Sequence, residues 1–221
     1  MVGGGDKTGA VDLASASVFL DFDGTMTVAD TGVHLLERLA GDRAWGELDE
    51  LYGRGVIGSR ECLEREWELL PHDERTLRAA AREVALDPAA ESLIADLREG
   101  GAEVVVVSDG FGFYAEEVCA GLDVPVLTNA VEWSSGTLQF PNLDRCCPCS
   151  SCGTCKQAPL KDARRRGRTT VFVGDGISDR KAALLADVLF AKGGLAEWCE
   201  EAGIEHIPFD SLAEVQRALC R

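Results

Sequence analysis

Five short apolar runs, at residues 18–22, 104–107, 124–127, 170–173 and 188–191, constrain this chain more than any other feature. Each is too short to make a stable helix and reads as a strand buried on both faces. Stretches with helical periodicity lie between most of them or come after them, at 89–98, 113–122, 159–166, 178–186, 195–201 and 212–219. Strands alternating with helices predict an α/β fold, a doubly wound and mostly parallel sheet with helices on both faces. In such a sheet ligands bind outside the carboxyl ends of the strands. With 221 residues, 46% of them hydrophobic, the chain is long enough to bury a full core.

Two segments break the alternation. Residues 29–86 contain no convincing strand and carry apolar residues at three- and four-residue spacing in "VHLLERLA", "WGELDELY" and "SRECLEREWELL". A small helical cap domain over 29–86 is therefore expected, inserted into a core domain made of 1–28 and 87–221. The second exception, "NAVEWSSGTLQFPN", places two β-prone runs around Ser134, Ser135 and Gly136, a hairpin signal that opens a cysteine-rich excursion.

The formal charge of −16, from 38 acidic and 22 basic residues, argues against nucleic acid or an anionic membrane as partner. No apolar stretch approaches the roughly eighteen residues that a spanning helix needs. The opening "MVGGGDKTGAVDLASA" has neither a basic region nor an apolar one, so a cytoplasmic chain is expected. An anionic ligand would have to be received locally, by a metal or by a few cations and amides.

The residues at the strand ends supply that chemistry. The first strand runs into "DFDGT" with Asp21, Asp23 and Thr25, the second into Ser108, Asp109 and Gly110, and the fourth into "GDGISD" with Asp175 and Asp179. A buried strand has no structural use for so many carboxylates, because an unpaired buried charge is costly. Glycines let backbone amides approach an anion, and helix N-termini add partial positive charge. Mg²⁺ takes one or two carboxylates plus water and phosphate oxygens, which Asp21 and Asp175 can supply. A carboxylate beside such a metal can attack phosphorus, while a second, Asp23, protonates the leaving oxygen and then activates water.

"DFDGT", a serine after the second strand, a downstream lysine and "GDGISD" together resemble the four motifs of the haloacid dehalogenase superfamily of phosphatases. The resemblance spans residues 18–209. It implies Asp21 as nucleophile and metal ligand, and Asp23 as acid/base that also offers its carbonyl to the metal. Thr25 and Ser108 would hold phosphoryl oxygens with amides near Asp109 and Gly110, and Asp175 would bind Mg²⁺, as would Asp179 directly or through water. The insertion corresponds to the helical cap seen in phosphoserine phosphatase. "CGTCK" and the C-terminal run look like a methionine-salvage phosphatase branch that acts on a methylthiopentenyl phosphate. Lys156 is preferred over Lys161 as the motif lysine, since it would start its helix with the ammonium near the site, where it neutralises the intermediate and the phosphate. The implied function is a Mg²⁺-dependent phosphatase for a small phosphorylated metabolite, working through an aspartyl-phosphate. Phosphoserine, phosphocholine and phosphoethanolamine are alternative substrates.

Cys146, Cys147, Cys149, Cys152 and Cys155 crowd into ten residues, out of nine cysteines in the chain. Cys146, Cys149, Cys152 and Cys155 have spacing suited to a structural Zn²⁺, with Cys147 as a substitute. The start of an iron–sulfur run, a redox pair and plain thiols are the alternatives, and a non-enzymatic metal or redox module is the rival function. Cys62, Cys119, Cys199 and Cys220 are scattered through helical patterns. His34, His72 and His206 are isolated, while Arg54, Arg60 and Arg65 are candidates to meet a second anionic group on a substrate.

Overall fold

A computed structural model describes residues 11–41, 44–143 and 151–220. The chain enters β1 (Ala16–Asp21), whose six residues are all buried, and then continues through four helices: α1 (Thr31–Leu39), α2 (Ala44–Gly53), α3 (Ser59–Trp67) and α4 (Glu74–Ala81). Next come α5 (Ala90–Glu99), β2 (Glu103–Val107), α6 (Phe113–Gly121) and β3 (Val126–Leu127). The hairpin strands β4 (Ala130–Glu132) and β5 (Thr137–Gln139) precede α7 (Gln157–Arg165) and β6 (Thr169–Gly174). The remainder is α8 (Arg180–Ala183), β7 (Val188–Ala191), α9 (Gly193–Ala202), β8 (Ile207–Pro208) and α10 (Leu212–Leu219).

Six strands form one sheet in the order β3-β2-β1-β6-β7-β8, with every pairing parallel. From β1 the chain builds outward on one side, then returns to β6 on the other. That reversal opens a crevice at the carboxyl end of β1, the position where open α/β sheets bind ligands.

The strand residues sort by the period of two that a pleated sheet imposes. Val18, Leu20, Val104, Val106, Val171 and Val173 join a core that includes residues of α1 and α3–α6 together with α10. Phe19, Val107, Phe172, Leu189 and Ala191 face a second core with α7, α8 and α9. A fully buried Phe or Leu such as Phe172 or Leu20 contributes about 1.5–3 kcal/mol relative to exposure. Two apolar layers, one on each face, are the physical reason that the strands read as unbroken apolar runs.

Helix ends obey local chemistry. Asp30 caps α1 by accepting from Val33 N at 2.9 Å, and Asp73 caps α4 by accepting from Thr76 N at 2.8 Å. The chain enters and leaves α1–α4 through adjacent antiparallel segments: Val28 N donates to Ala85 O at 2.9 Å and Asp87 N to Met26 O at 2.8 Å. The hairpin forms as expected around Gly136, whose carbonyl accepts from Trp67 Nε1 at 2.7 Å and so ties it to α3.

Two expectations are adjusted and one strand is added. Of run 124–127 only Val126 and Leu127 pair as strand, because Val124 N closes the end of α6 on Cys119 O at 2.9 Å. The helix expected over 178–186 is a 3₁₀ turn, Ile177–Asp179, continued by the short α8. β8 has two residues, too few to show periodicity. Cys146, Cys147 and Cys149 lie outside the described residues, and with them half of the expected zinc set.

Candidate active site

Asp21 is the last residue of β1, and Asp23 comes next in the turn that Gly24 makes possible. Gly24 sits at φ +73°, and a Cβ there would also strike Asp175 Oδ2, so only glycine lets these two strand ends approach. Ser108 directly succeeds β2, Asp175 succeeds β6, and Lys156 immediately precedes α7. The topology thus gathers residues from distant parts of the chain at one sheet edge.

Lys156, 4% exposed, is the hub. Its Nζ donates to Asp21 Oδ1 at 2.5 Å, Asp179 Oδ1 at 2.7 Å and Ser178 Oγ at 2.9 Å. Of the two candidate lysines it is Lys156 that reaches the carboxylates, with Lys161 one turn further along α7. Burial alone would lower the Lys156 pKa, but Asp179 and Asp21 outweigh it and hold the ammonium well above its ordinary range. Burial pushes Asp21 well above the usual carboxylate range, Asp179 adds to this, and Lys156 pulls the other way. Asp175 is raised by the same two causes, burial and then Asp179.

The other carboxylates are held by networks. Asp179 Oδ2 accepts from the amides of Asp175 at 3.0 Å and Gly176 at 3.1 Å, which shapes the loop after β6. Asp23 Oδ1 accepts from Thr31 N at 3.1 Å, while Oδ2 accepts from Ser108 Oγ at 3.2 Å and Tyr114 OH at 3.3 Å. Burial, then the charge of Asp30, raises the Asp23 pKa to about 7. Asp109 accepts from Ser59 Oγ at 2.5 Å, Thr154 N at 2.6 Å and Asn129 Nδ2 at 3.3 Å, and burial outweighs these donors to raise its pKa.

Some expected contacts take a different form. The Thr25 hydroxyl, expected to face a phosphoryl group, is fully buried and donates to Asp175 Oδ1 at 2.8 Å; it orients a carboxylate. Ser108 is also fully buried, accepting from Gly110 N at 3.1 Å and donating to Asp23. Gly110 is required sterically, since a Cβ there would strike the Tyr114 hydroxyl and lie 2.7 Å from Asp23 Oδ2. Tyr114, Ser59, Asn129 and Thr154 carry no motif spacing in the sequence and emerge only through their contacts. Arg60 and Arg65 pair with Glu64 and Glu61 at the surface, at 3.1 and 3.5 Å. His72 stacks on Trp67, a packing role.

Cys155 is buried with its amide on Asn142 O at 3.1 Å, and Cys152 Sγ accepts from Lys181 Nζ at 3.2 Å. These two thiols belong to the loop that delivers Lys156.

The residues fit a hard divalent cation. Asp21, Asp175 and Asp179 each offer a carboxylate oxygen, all within 4.8 Å of one another, and an all-oxygen set is what Mg²⁺ prefers. Burial is the main cause of the raised Asp21 and Asp175 carboxyls, and the repulsion from Asp179 that comes second to it is what a dication would offset. Asp21 and Asp175 line a cavity of about 320 Å³ that is also lined by Val33, Leu36, Cys62, Leu63 and Glu66.

Residues 18–184 match the family model for haloacid dehalogenase-like hydrolases. Two curated relatives are named 2-hydroxy-3-keto-5-methylthiopentenyl-1-phosphate phosphatase. The one from Exiguobacterium sp. is 28% identical over 207 residues, 91% of this chain and 95% of its own. That from Brevibacillus brevis is 29% identical over 210 residues, 91% of this chain and 94% of its own. Among solved structures, a phospho-aspartyl intermediate analogue of phosphoserine phosphatase superposes with a TM-score of 0.73 at 20% identity, covering 93% of this chain and 99% of that one. With a family match over residues 18–184, most of its length, the chain belongs to the haloacid dehalogenase-like hydrolases.

Proposed function

We propose that this protein is a Mg²⁺-dependent phosphatase that hydrolyses a small phosphorylated metabolite through an aspartyl-phosphate. The observation that carries the reading is Lys156 Nζ bridging Asp21 and Asp179 beside Asp175, at the carboxyl edge of the sheet. Asp21 attacks phosphorus, the bond from phosphorus to the leaving oxygen breaks, and Asp23 gives that oxygen its proton. Water then attacks the aspartyl-phosphate and loses a proton to Asp23, so that phosphate leaves and Asp21 is regenerated. Lys156 balances the charge on Asp21 and on the transferring group, with Ser108 and the Gly110 amide as phosphoryl donors. Held by Asp21, Asp175, Asp179 and the Asp23 carbonyl, Mg²⁺ would supply electrostatic stabilisation of the phosphoryl oxygens. Residues 29–86 act as a cap that covers the leaving group and sets specificity.

The relatives' names make a methylthiopentenyl phosphate the leading substrate. The cavity lining supports it over phosphoserine. Among the described lining residues Lys156 is the one cation, so the phosphoserine carboxylate would face Asp30, Asp49 and Glu66 without a counter-charge. Val33, Leu36, Leu63 and Phe111 suit an apolar thioether tail.

The test is phosphate release from a panel of small monoesters, with and without Mg²⁺, for the native chain and Asp21→Asn. Metal-dependent release that falls at least about a thousandfold in the variant is expected. Equal activity in the variant would reject Asp21 as nucleophile. Stoichiometric zinc or iron in the protein with no release from any ester would favour the cysteine-cluster module.

A further inference from the structure

Asp23 must present its carboxyl group to the leaving oxygen while the phosphoryl group moves, and the hydroxyls that donate to it say which residue holds that group in place. Ser108 Oγ already accepts the Gly110 amide, so its own proton points to Asp23 Oδ2. Tyr114 OH likewise accepts the Phe111 amide at 3.3 Å and has its single proton left for the same Oδ2. On the phosphatase reading Ser108 turns to a phosphoryl oxygen when substrate binds. One hydroxyl then remains on Asp23.

We propose that Tyr114 is a positioning residue for the acid/base Asp23, holding its carboxyl group against the leaving oxygen once Ser108 is engaged by substrate. The inference rests on the proposed phosphatase reaction. Three observations carry it. Tyr114 is 5% exposed and packed between Phe22 and Phe113, with ring centroids at 5.9 and 5.0 Å. That apolar setting would accept phenylalanine without desolvating an oxygen. The phenol oxygen nevertheless reaches one backbone amide, that of Phe111, and one carboxylate, that of Asp23. The space it occupies is open because residue 110 is glycine, whose Cβ would collide with it. On the other oxygen of Asp23, Thr31 N at the start of α1 supplies the opposing hold, so the carboxyl plane is fixed from both sides.

The chemistry makes the role measurable. In the first half-reaction Asp21 forms the bond to phosphorus, the ester bond breaks, and the Asp23 proton moves to the departing oxygen. An alkyl alcohol needs that proton, whereas a p-nitrophenolate leaves without it. The parameter kcat/KM reports this first half-reaction, free of the later hydrolysis of the aspartyl-phosphate. For Tyr114→Phe, kcat/KM on an alkyl phosphate is expected to fall about 10- to 100-fold, with less than about a threefold change on p-nitrophenyl phosphate. Asp23→Asn should show the same leaving-group selectivity, and adding Tyr114→Phe to it should cost nothing further. Thermal unfolding of each variant separates misfolding from chemistry, and Tyr114→Met serves as a second variant if phenylalanine disturbs the fold. Equal losses on both esters, or additive losses in the double variant, would overturn the role of Tyr114 and leave the phosphatase reading standing. A native chain that releases phosphate from neither ester would overturn both.

Discussion

Glu66 lies on the cavity wall, its Oε1 accepting from Cys62 Sγ at 3.4 Å. Burial, with further contributions from Asp30 and Asp49, raises its pKa from the ordinary 4.5 to about 7. A carboxyl whose pKa is raised on folding contributes stability that is fully present below its unfolded value and is lost as pH rises through the folded value. Here the window runs from 4.5 to about 7. Glu66→Gln keeps the acceptor and removes the charge. It should stabilise the protein by about 1–2 kcal/mol above the window, after allowance for solvent screening, and be neutral below it. Urea midpoints on the two sides of the window check this, and a variant less stable than the native chain at the alkaline end would contradict it.

Among the elements, Asp109 joins three pieces that are remote in sequence. It takes a hydroxyl from Ser59 at the start of α3, an amide from Thr154 in the segment leading to Lys156, and the side chain of Asn129 beyond β3. Thr154 Oγ1 closes the ring on Asn129 Oδ1 at 3.0 Å. Replacing Asp109 with leucine strands these donors in a buried place, which costs about 2–4 kcal/mol. Faster amide exchange at residues 151–156 should accompany that loss, since these residues deliver the lysine. Unchanged exchange there would mean that the segment is held by other contacts.

Across the whole molecule, α3 meets the segment that leads to Lys156 where Arg60 N donates to Ser151 O at 3.1 Å and Gly153 N to Ser59 Oγ at 3.3 Å. A Cβ on Gly58 would strike the Ser151 carbonyl, although the Gly58 backbone, at φ −87°, suits any residue. Gly58→Ala should therefore hold α3 off the Lys156 segment, lowering kcat/KM about tenfold or more through misplaced catalytic groups. Gly46→Ala is the control. It lies inside α2 with open space around it, so alanine should stabilise the helix by about 0.5–1 kcal/mol and leave turnover unchanged. Equal turnover in Gly58→Ala and the native chain would argue that α3 need not seat against the Lys156 segment.

The order of residues along the chain dictates the fold class, because strands with both faces buried must read as continuous apolar runs, and helices with one buried face must repeat at three and four residues. It also dictates which residues end those strands, and hence that Asp21, Asp23, Asp175 and Asp179 share an edge. Folding in three dimensions settles what those residues touch. Thr25 turns to Asp175 and Ser108 to Asp23, because a hydroxyl's partner depends on what the neighbouring strand brings within about 3 Å. Lys156 rather than Lys161 reaches the carboxylates, a matter of where α7 begins. Tyr114, Asp109 and Ser59 were illegible in their roles because their contacts join residues far apart in the chain, and no local spacing records a long-range hydrogen bond. The same holds for the two-residue β8, which exists only because β7 already lies beside it.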